Sequence, residues 1–448
     1  MKGRGLRFFG MLFLLIPLAS CLGPPVAAAR GQKEVRKKPK PHTRRIESTG
    51  AWAFKRLARA QKALGDGDTA AAMVALDEMK ARVERLSAHE QAMMWQTYAY
   101  AYSTQEKYEQ ATQAFEKCLA LNALPEQAVI NAHYNLAQLY MVEENFPKAI
   151  EHFEIWFKAA ENPSADAHYM MAAAYTQAGR PKSALPHAKS AVAGSPVPKE
   201  AWLELLLSLY FQLDQHREAV GVLRKLIASY PKKPYWMQLA ATYTELDDKK
   251  KALATMELAE EQGYLTSENE VRNLVQLYLN NGIPYRAAQT IEKAMEDGRL
   301  PRTSKNEELL ANTLLNARER ERAIEPLEKA AALSDDGNLY VRLGQVHMAE
   351  ERWGAARIAL RKALQKGDVR HAGNVYLMIG IANASESRWP EAKKAFRAAQ
   401  KYSKSAKSAS QWLDHIEDEL TLDAYEEQLE PATEGGASAA GGAAGRSS

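Results

Sequence analysis

His133 and His168 stand 35 residues apart in neighbouring copies of a period that runs through the chain. Imidazoles at equivalent places on stacked helices could approach to metal-binding distance. A zinc centre needs three or four ligands, however, and no thiolate or carboxylate recurs with these two at ligand spacing. That place in the other copies takes an aromatic core residue, as in Trp95, Trp236, Tyr340 and Tyr376. Cys118 occupies a slot that Ala191, Ala259, Ala294 and Ala330 fill elsewhere, with no histidine or basic cluster beside it to favour a thiolate, so it reads as a small core residue. Asp66 and Asp68 alternate with Gly65 and Gly67, which could suggest calcium, but the glycines and the place in the period make a turn. The chain has no glycine-rich phosphate loop, no His-Glu-x-x-His, no Cys-x-x-Cys and no Gly-x-Ser-x-Gly. The expectation is a protein that is not an enzyme and carries no metal or other cofactor.

The period itself is the stronger signal. Alanines recur at Ala111, Ala149, Ala184, Ala219, Ala252, Ala287, Ala323, Ala356 and Ala392, at intervals of 33 to 38 residues. Nine residues before each stands Tyr102, Tyr140, Tyr175, Tyr210, Tyr243 or Tyr278, replaced by Leu314, His347 and Asn383 in the last three copies. Four residues after each stands a side chain that is large in all but one copy: Phe115, Phe153, Ala188, Leu223, Met256, Ile291, Leu327, Leu360 and Phe396. Two antiparallel helices pack closely only where small residues meet, so a fixed alanine early in a second helix sets the separation of a hairpin. The residue four places on lies one turn along the same face, where it can fill the gap to the next repeat. First helices carry their own apolar stripe, such as Leu136, Leu139 and Tyr140. One hairpin cannot bury both stripes, whereas a stack of them can.

The full order resembles the tetratricopeptide repeat. One copy reads Trp95, Tyr98, Ala99, Tyr102, Ala111, Phe115, Cys118, and another reads Trp236, Leu239, Ala240, Tyr243, Ala252, Met256, Ala259. Closing prolines stand at Pro196 and Pro231 and, displaced, at Pro125 and Pro163. The resemblance implies an all-α fold: a right-handed superhelical solenoid of about nine to ten helix hairpins with a capping helix. Composition agrees, with 46% hydrophobic and 25% charged residues and no run of alternating β-branched side chains.

In this family the second, fifth, ninth and twelfth residues of each first helix line a partner-binding groove. Counting back from the alanines puts Asn131, Tyr134, Gln138, Tyr169, Arg272, Gln276, Asn312, Asn338 and Gln345 at such places. Carboxamides both donate and accept, so a ladder of them suits the backbone of an extended peptide. Chaperone-binding relatives place Lys at the fifth position to clamp a terminal carboxylate. Here that position holds Gln96, Tyr134, Tyr169, Glu204, Met237, Arg272, Glu308, Val341 and Leu377, which argues against a cytosolic chaperone adaptor.

The ends differ from the array. Lys2, Arg4 and Arg7 precede an apolar stretch from Phe8 to Ala19, too short for the roughly 20 residues of a membrane span and matching a secretory signal. Leu18-Ala19-Ser20-Cys21 resembles the bacterial lipobox, which makes Cys21 a candidate for lipidation. Cleavage after Ala27-Ala28-Ala29 is the alternative. The expected organisation is a signal over 1–21, a disordered basic linker over 22–50, a degenerate repeat or cap over 51–91, the array over 92–402, an acidic capping helix over 403–430 and a disordered tail over 431–448. Arg30, Lys33, Arg36, Lys37, Lys38, Lys40, Arg44 and Arg45 make the linker basic, while residues 414–434 hold nine acidic side chains and no Lys or Arg. The repeats carry no basic stripe, so no nucleic-acid partner is expected.

A narrower likeness runs through Ala252-Leu253-Ala254-Thr255-Met256, Gln262-Gly263-Tyr264-Leu265 and Ile283-Pro284-Tyr285-Arg286-Ala287. It is similar to periplasmic tetratricopeptide proteins associated with TonB, ExbB and ExbD, and implies help in energy transduction to outer-membrane transport. The resulting expectation is a non-enzymatic scaffold of the bacterial cell envelope. It would lie in the periplasm, free or anchored to the outer membrane through lipid, and bind extended segments of envelope proteins such as TonB-system components. The alternative role is a lipoprotein assembly factor for outer-membrane or peptidoglycan machinery.

Overall fold

The computed structural model describes residues 48–429, so Cys21, the linker up to residue 47 and the tail from residue 430 lie outside the described residues. All long regular elements within that range are α-helices, twenty-one of them, and no strand occurs among the described residues. They form ten hairpins and a closing helix, the all-α stack that the period implies. The first unit holds α1 (Ala51–Gly65) and α2 (Thr69–Lys80), α3 (Ala88–Thr104) and α4 (Tyr108–Ala120), α5 (Glu126–Val142) and α6 (Phe146–Ala159), α7 (Ala165–Gln177) and α8 (Pro181–Ala193), and α9 (Glu200–Gln212) and α10 (His216–Ser229). The second holds α11 (Lys233–Glu245) and α12 (Lys249–Glu261), α13 (Glu268–Asn280) and α14 (Pro284–Glu296), α15 (Ser304–Asn316) and α16 (Arg320–Leu333), α17 (Asn338–Ala349) and α18 (Trp353–Lys366), α19 (Ala372–Ala384) and α20 (Trp389–Gln400), closed by α21 (Ser403–Leu429). The chain divides between Tyr230 and Pro231 into these two compact units, a boundary the even period does not announce. No helix among the described residues is long and apolar enough to cross a membrane.

Each marker alanine is the fourth residue of a second helix, and all nine, with Ala72 on α2, are fully buried. The residue four places on is buried too, from Phe115 and Phe153 to Leu360 and Phe396. Twelve places before the alanine, on the first helix, stands Ala or Gly in all of the nine copies except those with Leu207 and Val275, and in two of them the large residue packs directly on it. At Gly344 an added Cβ would come within 2.6 Å of the Leu360 side chain, and at Gly380 it would collide with the Phe396 ring. In these two hairpins small-against-large packing therefore fixes helix separation, and a methyl group on the small side is already too much.

The turn inside every hairpin has one backbone form. A residue with positive φ stands five places before each marker alanine, and only Gly67, Gly179 and Gly282 among the ten are glycine. The others are Glu106, Glu144, Asp214, Asp247, Arg318, Glu351 and Ser387. The next amide donates back to the fifth residue before it, as in Lys107 N to Tyr102 O at 2.9 Å and Asp248 N to Tyr243 O at 2.8 Å. This left-handed closure satisfies carbonyls that the end of the first helix would leave unpaired. Asp68, Asn145 and Asp248 then cap second helices by accepting from backbone N–H groups three residues on. The Asp66–Asp68 turn thus ends in a helix cap at Asp68.

On α21, Ile416 is buried, and Trp412, Leu413 and Leu420 pack with it against Phe396 and Ala399 of α20. Leu422 is 57% exposed, because it falls off the stripe that Ile416 and Leu420 define.

Candidate protein-docking face

The first helices present their non-core sides as the candidate face. On α5, Asn131 is exposed while Tyr134 and Gln138 are half-buried, and the spacing of three and four residues aligns the three side chains. The Tyr134 ring lies 4.7 Å from Trp156 and 5.8 Å from Phe153, ring centroid to centroid. Burial pushes its hydroxyl up, partly offset by a hydrogen bond with Gln138. On α7, Tyr169 stands 6.2 Å from the Trp202 ring of α9, and burial again pushes its hydroxyl up, aided by the charge of Glu204. Asn135 of α5 donates to the Tyr100 hydroxyl of α3 at 3.1 Å, linking successive first helices beside this face. In the second unit Gln276 and Gln345 are exposed, and Gln276 donates to Asn280 at 2.7 Å along α13.

Two of the residues placed on this face by spacing, Arg272 and Asn338, make bonds between hairpins. Arg272 donates to Glu268 at 3.0 Å and also bonds the Asn306 carboxamide, so its charge is spent on a polar knot between α13 and α15. Asn306 completes the knot with bonds to Glu268 at 3.2 Å and to the Pro301 carbonyl at 2.8 Å. Asn338 opens α17 and staples the loop before α19, donating to Asp368 O at 2.8 Å and accepting from Arg370 N at 3.1 Å. The Oδ1 of Asn312 is enclosed and has no hydrogen-bond partner, while the residue as a whole is half-buried. The other residues placed there by spacing, Asn131, Tyr134, Gln138 and Tyr169 in the first unit and Gln276, Asn312 and Gln345 in the second, are exposed or half-buried.

Three tyrosines of the period tie their hairpin to the one before it. Tyr140, Tyr175 and Tyr278 donate to Glu116, Glu154 and Glu257, each carboxylate lying five residues after the preceding marker alanine. Burial first, and then the bonded carboxylate, push these hydroxyls up, Tyr175 to about 12. His347 takes the tyrosine place in its own copy and stands 4.0 Å from Glu328, the equivalent carboxylate. These rungs were missed in the sequence, although acidic residues recurring five places after Ala72, Ala111, Ala149, Ala252 and Ala323 signal them.

The groups that suggested chemistry sit as follows. Burial pushes the Cys118 thiol up to about 12, the opposite of what a reactive thiolate needs. His133 and His168 do not meet each other. Each faces a histidine of its own hairpin, His152 and His187, and no group of three or more metal-binding side chains forms among the described residues.

Comparison with known proteins bears on this arrangement. Family models described as tetratricopeptide repeat match residues 92–123, 134–198 and 169–234. These stretches carry tetratricopeptide repeats, a fold that serves other proteins as a scaffold for protein–protein interaction. Among curated proteins no sequence matches the chain. Among solved structures, the chain is similar to YrrB, titled a TPR protein with an unusual peptide-binding site, at 21% identity over 38% of this chain and 85% of that one, with a TM-score of 0.33. It is similar to MamA from Desulfovibrio magneticus RS-1 at 21% identity over 40% of this chain and 96% of that one, with a TM-score of 0.34. It is also similar to the TPR2AB domain of yeast Sti1 in complex with pHSP90, at 17% identity over 58% and 98% of the two chains and a TM-score of 0.33. Superpositions this loose transfer no ligand.

Proposed function

We propose that this chain is a non-enzymatic docking scaffold of the bacterial cell envelope, which holds extended segments of partner proteins against the exposed sides of its first helices. The observation that carries the reading is the alignment of Asn131, Tyr134 and Gln138 on α5 beside Tyr169 on α7, where amides and ring edges reach solvent on a rigid helical base. Each backbone bond to such an amide contributes about 0.5–1.5 kcal/mol, so useful affinity needs several at once, which a repeated helix supplies. The partner we favour is a component of the TonB, ExbB and ExbD system, on the strength of the likeness through residues 252–288. Cys21 would anchor the scaffold to the outer membrane by lipid.

The test is copurification of TonB with the tagged chain from cells of the source bacterium. TonB should be retained by the wild type and lost when Tyr134 and Gln138 are both changed to Ala, with the helical content unchanged. Equal retention by the variant sinks the proposed face. Absence of TonB while other envelope proteins are retained sinks the assignment to energy transduction. Labelling with palmitate in wild type but not in Cys21→Ser is the expected result for the anchor, and no label in either removes it.

A further inference from the structure

His133 on α5 meets His152 on α6, Nδ1 to Nδ1, at 2.8 Å, and His168 on α7 meets His187 on α8 in the same way at 3.1 Å. Both contacts span the two helices of one hairpin, with partners 19 residues apart and equivalent histidines 35 apart. The ring centroids are separated by 5.0 and 5.3 Å. In each pair the excess over the Nδ1 separation is nearly the two ring radii, so the nitrogens point at one another almost head-on. A shared metal ion requires the opposite, two lone pairs turned toward one point about 2.0–2.1 Å from each nitrogen. Head-on nitrogens at this distance fit a single proton between them, with one Nδ1–H donating and the other Nδ1 accepting. A second proton leaves two N–H groups and two positive charges face to face.

We infer that the two histidine pairs are acid-sensitive latches, closing hairpins α5–α6 and α7–α8 while each pair holds one imidazole neutral and loosening them when both imidazoles are charged. Aromatic rings shield the contacts in part, all four histidines being half-buried. Tyr140 of α5 stacks on His152, Tyr175 of α7 lies beside His187, and Phe157 of α6 stands 5.0 Å from both His168 and His187. Around the first pair, Glu151 of α6 and Glu116 of α4 favour protonation, and Lys148 of α6 opposes it at His152. Around the second, burial and the partner ring alone shift the two histidines, and Tyr175 beside His187 donates to Glu154 of α6. Burial, the largest cause at all four rings, holds them below the ordinary histidine value, and the partner ring adds to it at His152 and His187.

The sign follows from proton linkage. Unfolded histidines titrate near 6.5 and bind more protons below that pH than the folded pairs do, so the stability contributed by the pairs is complete above about pH 6.5 and drains away as pH falls below it.

The experiment is a ring titration by NMR of the full chain with labelled histidine, joined to thermal unfolding between pH 7 and pH 5. In the wild type each pair should titrate in two separated steps, the lower well below 6.5. In His152→Gln, His133 should titrate in one step while His168 and His187 still show two. The melting temperature should fall by about 4 °C or more over this range in the wild type, and by less in the variant carrying both His152→Gln and His187→Gln. Four rings that titrate once each, with no response to loss of a partner, overturn the proposal, as does stoichiometric zinc binding that shifts both rings of a pair. The wild-type titration alone decides the matter if a variant fails to fold.

Discussion

Helices of the first unit meet largely through rings, and those of the second largely through ions. Between α3 and α9 the contacts include Tyr100 with Phe115, Tyr134 with Trp156, Phe157 with His168 and Tyr169 with Trp202, along with the two histidine pairs. From α12 onward the recurring contacts are Arg299 with Glu260, Arg322 with Glu292, Arg342 with Glu308 and Arg352 with Glu321, each joining one hairpin to its neighbour. The backbone beneath is the same in both, with one left-handed turn residue and one buried alanine per hairpin. A repeat therefore constrains how closely two helices approach, and leaves open which forces join one hairpin to the next. The matched family stretches, 92–123 and 134–234, fall almost wholly in the unit that keeps the aromatic glue.

The difference can be broken or sharpened by substitution, and the largest effect is expected in the first unit. Phe153 is fully buried, and Phe153→Ala should cost about 4 kcal/mol, read as faster hydrogen exchange confined to α5–α8, with no change on adding salt. A cost that salt reduces would mean charges, not rings, hold this unit. Ala252→Arg forces a long cation into a site with no accessible surface and should cost about 3 kcal/mol, seen as an early urea transition in the second unit; an unchanged curve would contradict the shared alanine crossing.

Arg299 ranks next. Its guanidinium bonds Asp297, Glu260 and the Leu265 carbonyl at 19% side-chain exposure, so Arg299→Ala should cost about 2 kcal/mol, discounted for solvent, and the loss should shrink in molar salt. The smallest effect has the opposite sign. Arg318 holds a left-handed φ of 64°, and Arg318→Gly should stabilise by about 1 kcal/mol in a melting experiment. A destabilised variant would show that the side chain, not the backbone, maintains the turn.

The part of the fold legible in the sequence is the part set by volume. Alanine at the crossing and a large residue four places on recur because hard-core packing admits little else, so they carried the period from Ala111 to Ala392. The turn was not legible, since its constraint falls on the backbone: Glu106, Asp214, Arg318 and Ser387 share a φ region and no side-chain chemistry. The docking face was half legible. Spacing along one helix gives a side, but whether a side chain there is available depends on residues about 30 to 40 positions away, as Arg272 with Asn306 and Asn338 with Arg370 show. His152 and His187 carry a sequence signal of their own, since both stand three residues after a marker alanine and repeat at the 35-residue interval of His133 and His168, but only the fold shows that each pair meets across one hairpin.

The claim that partners dock along the first helices is tested most directly by site-specific photocrosslinking in intact cells. A photoreactive residue at Tyr134, Gln276 or Gln345 should capture partner proteins, while one at Leu258 on α12 or Ile358 on α18, both exposed on second helices, should not. Capture from the second-helix positions alone would place the interface on the opposite side of the hairpins and contradict the proposal.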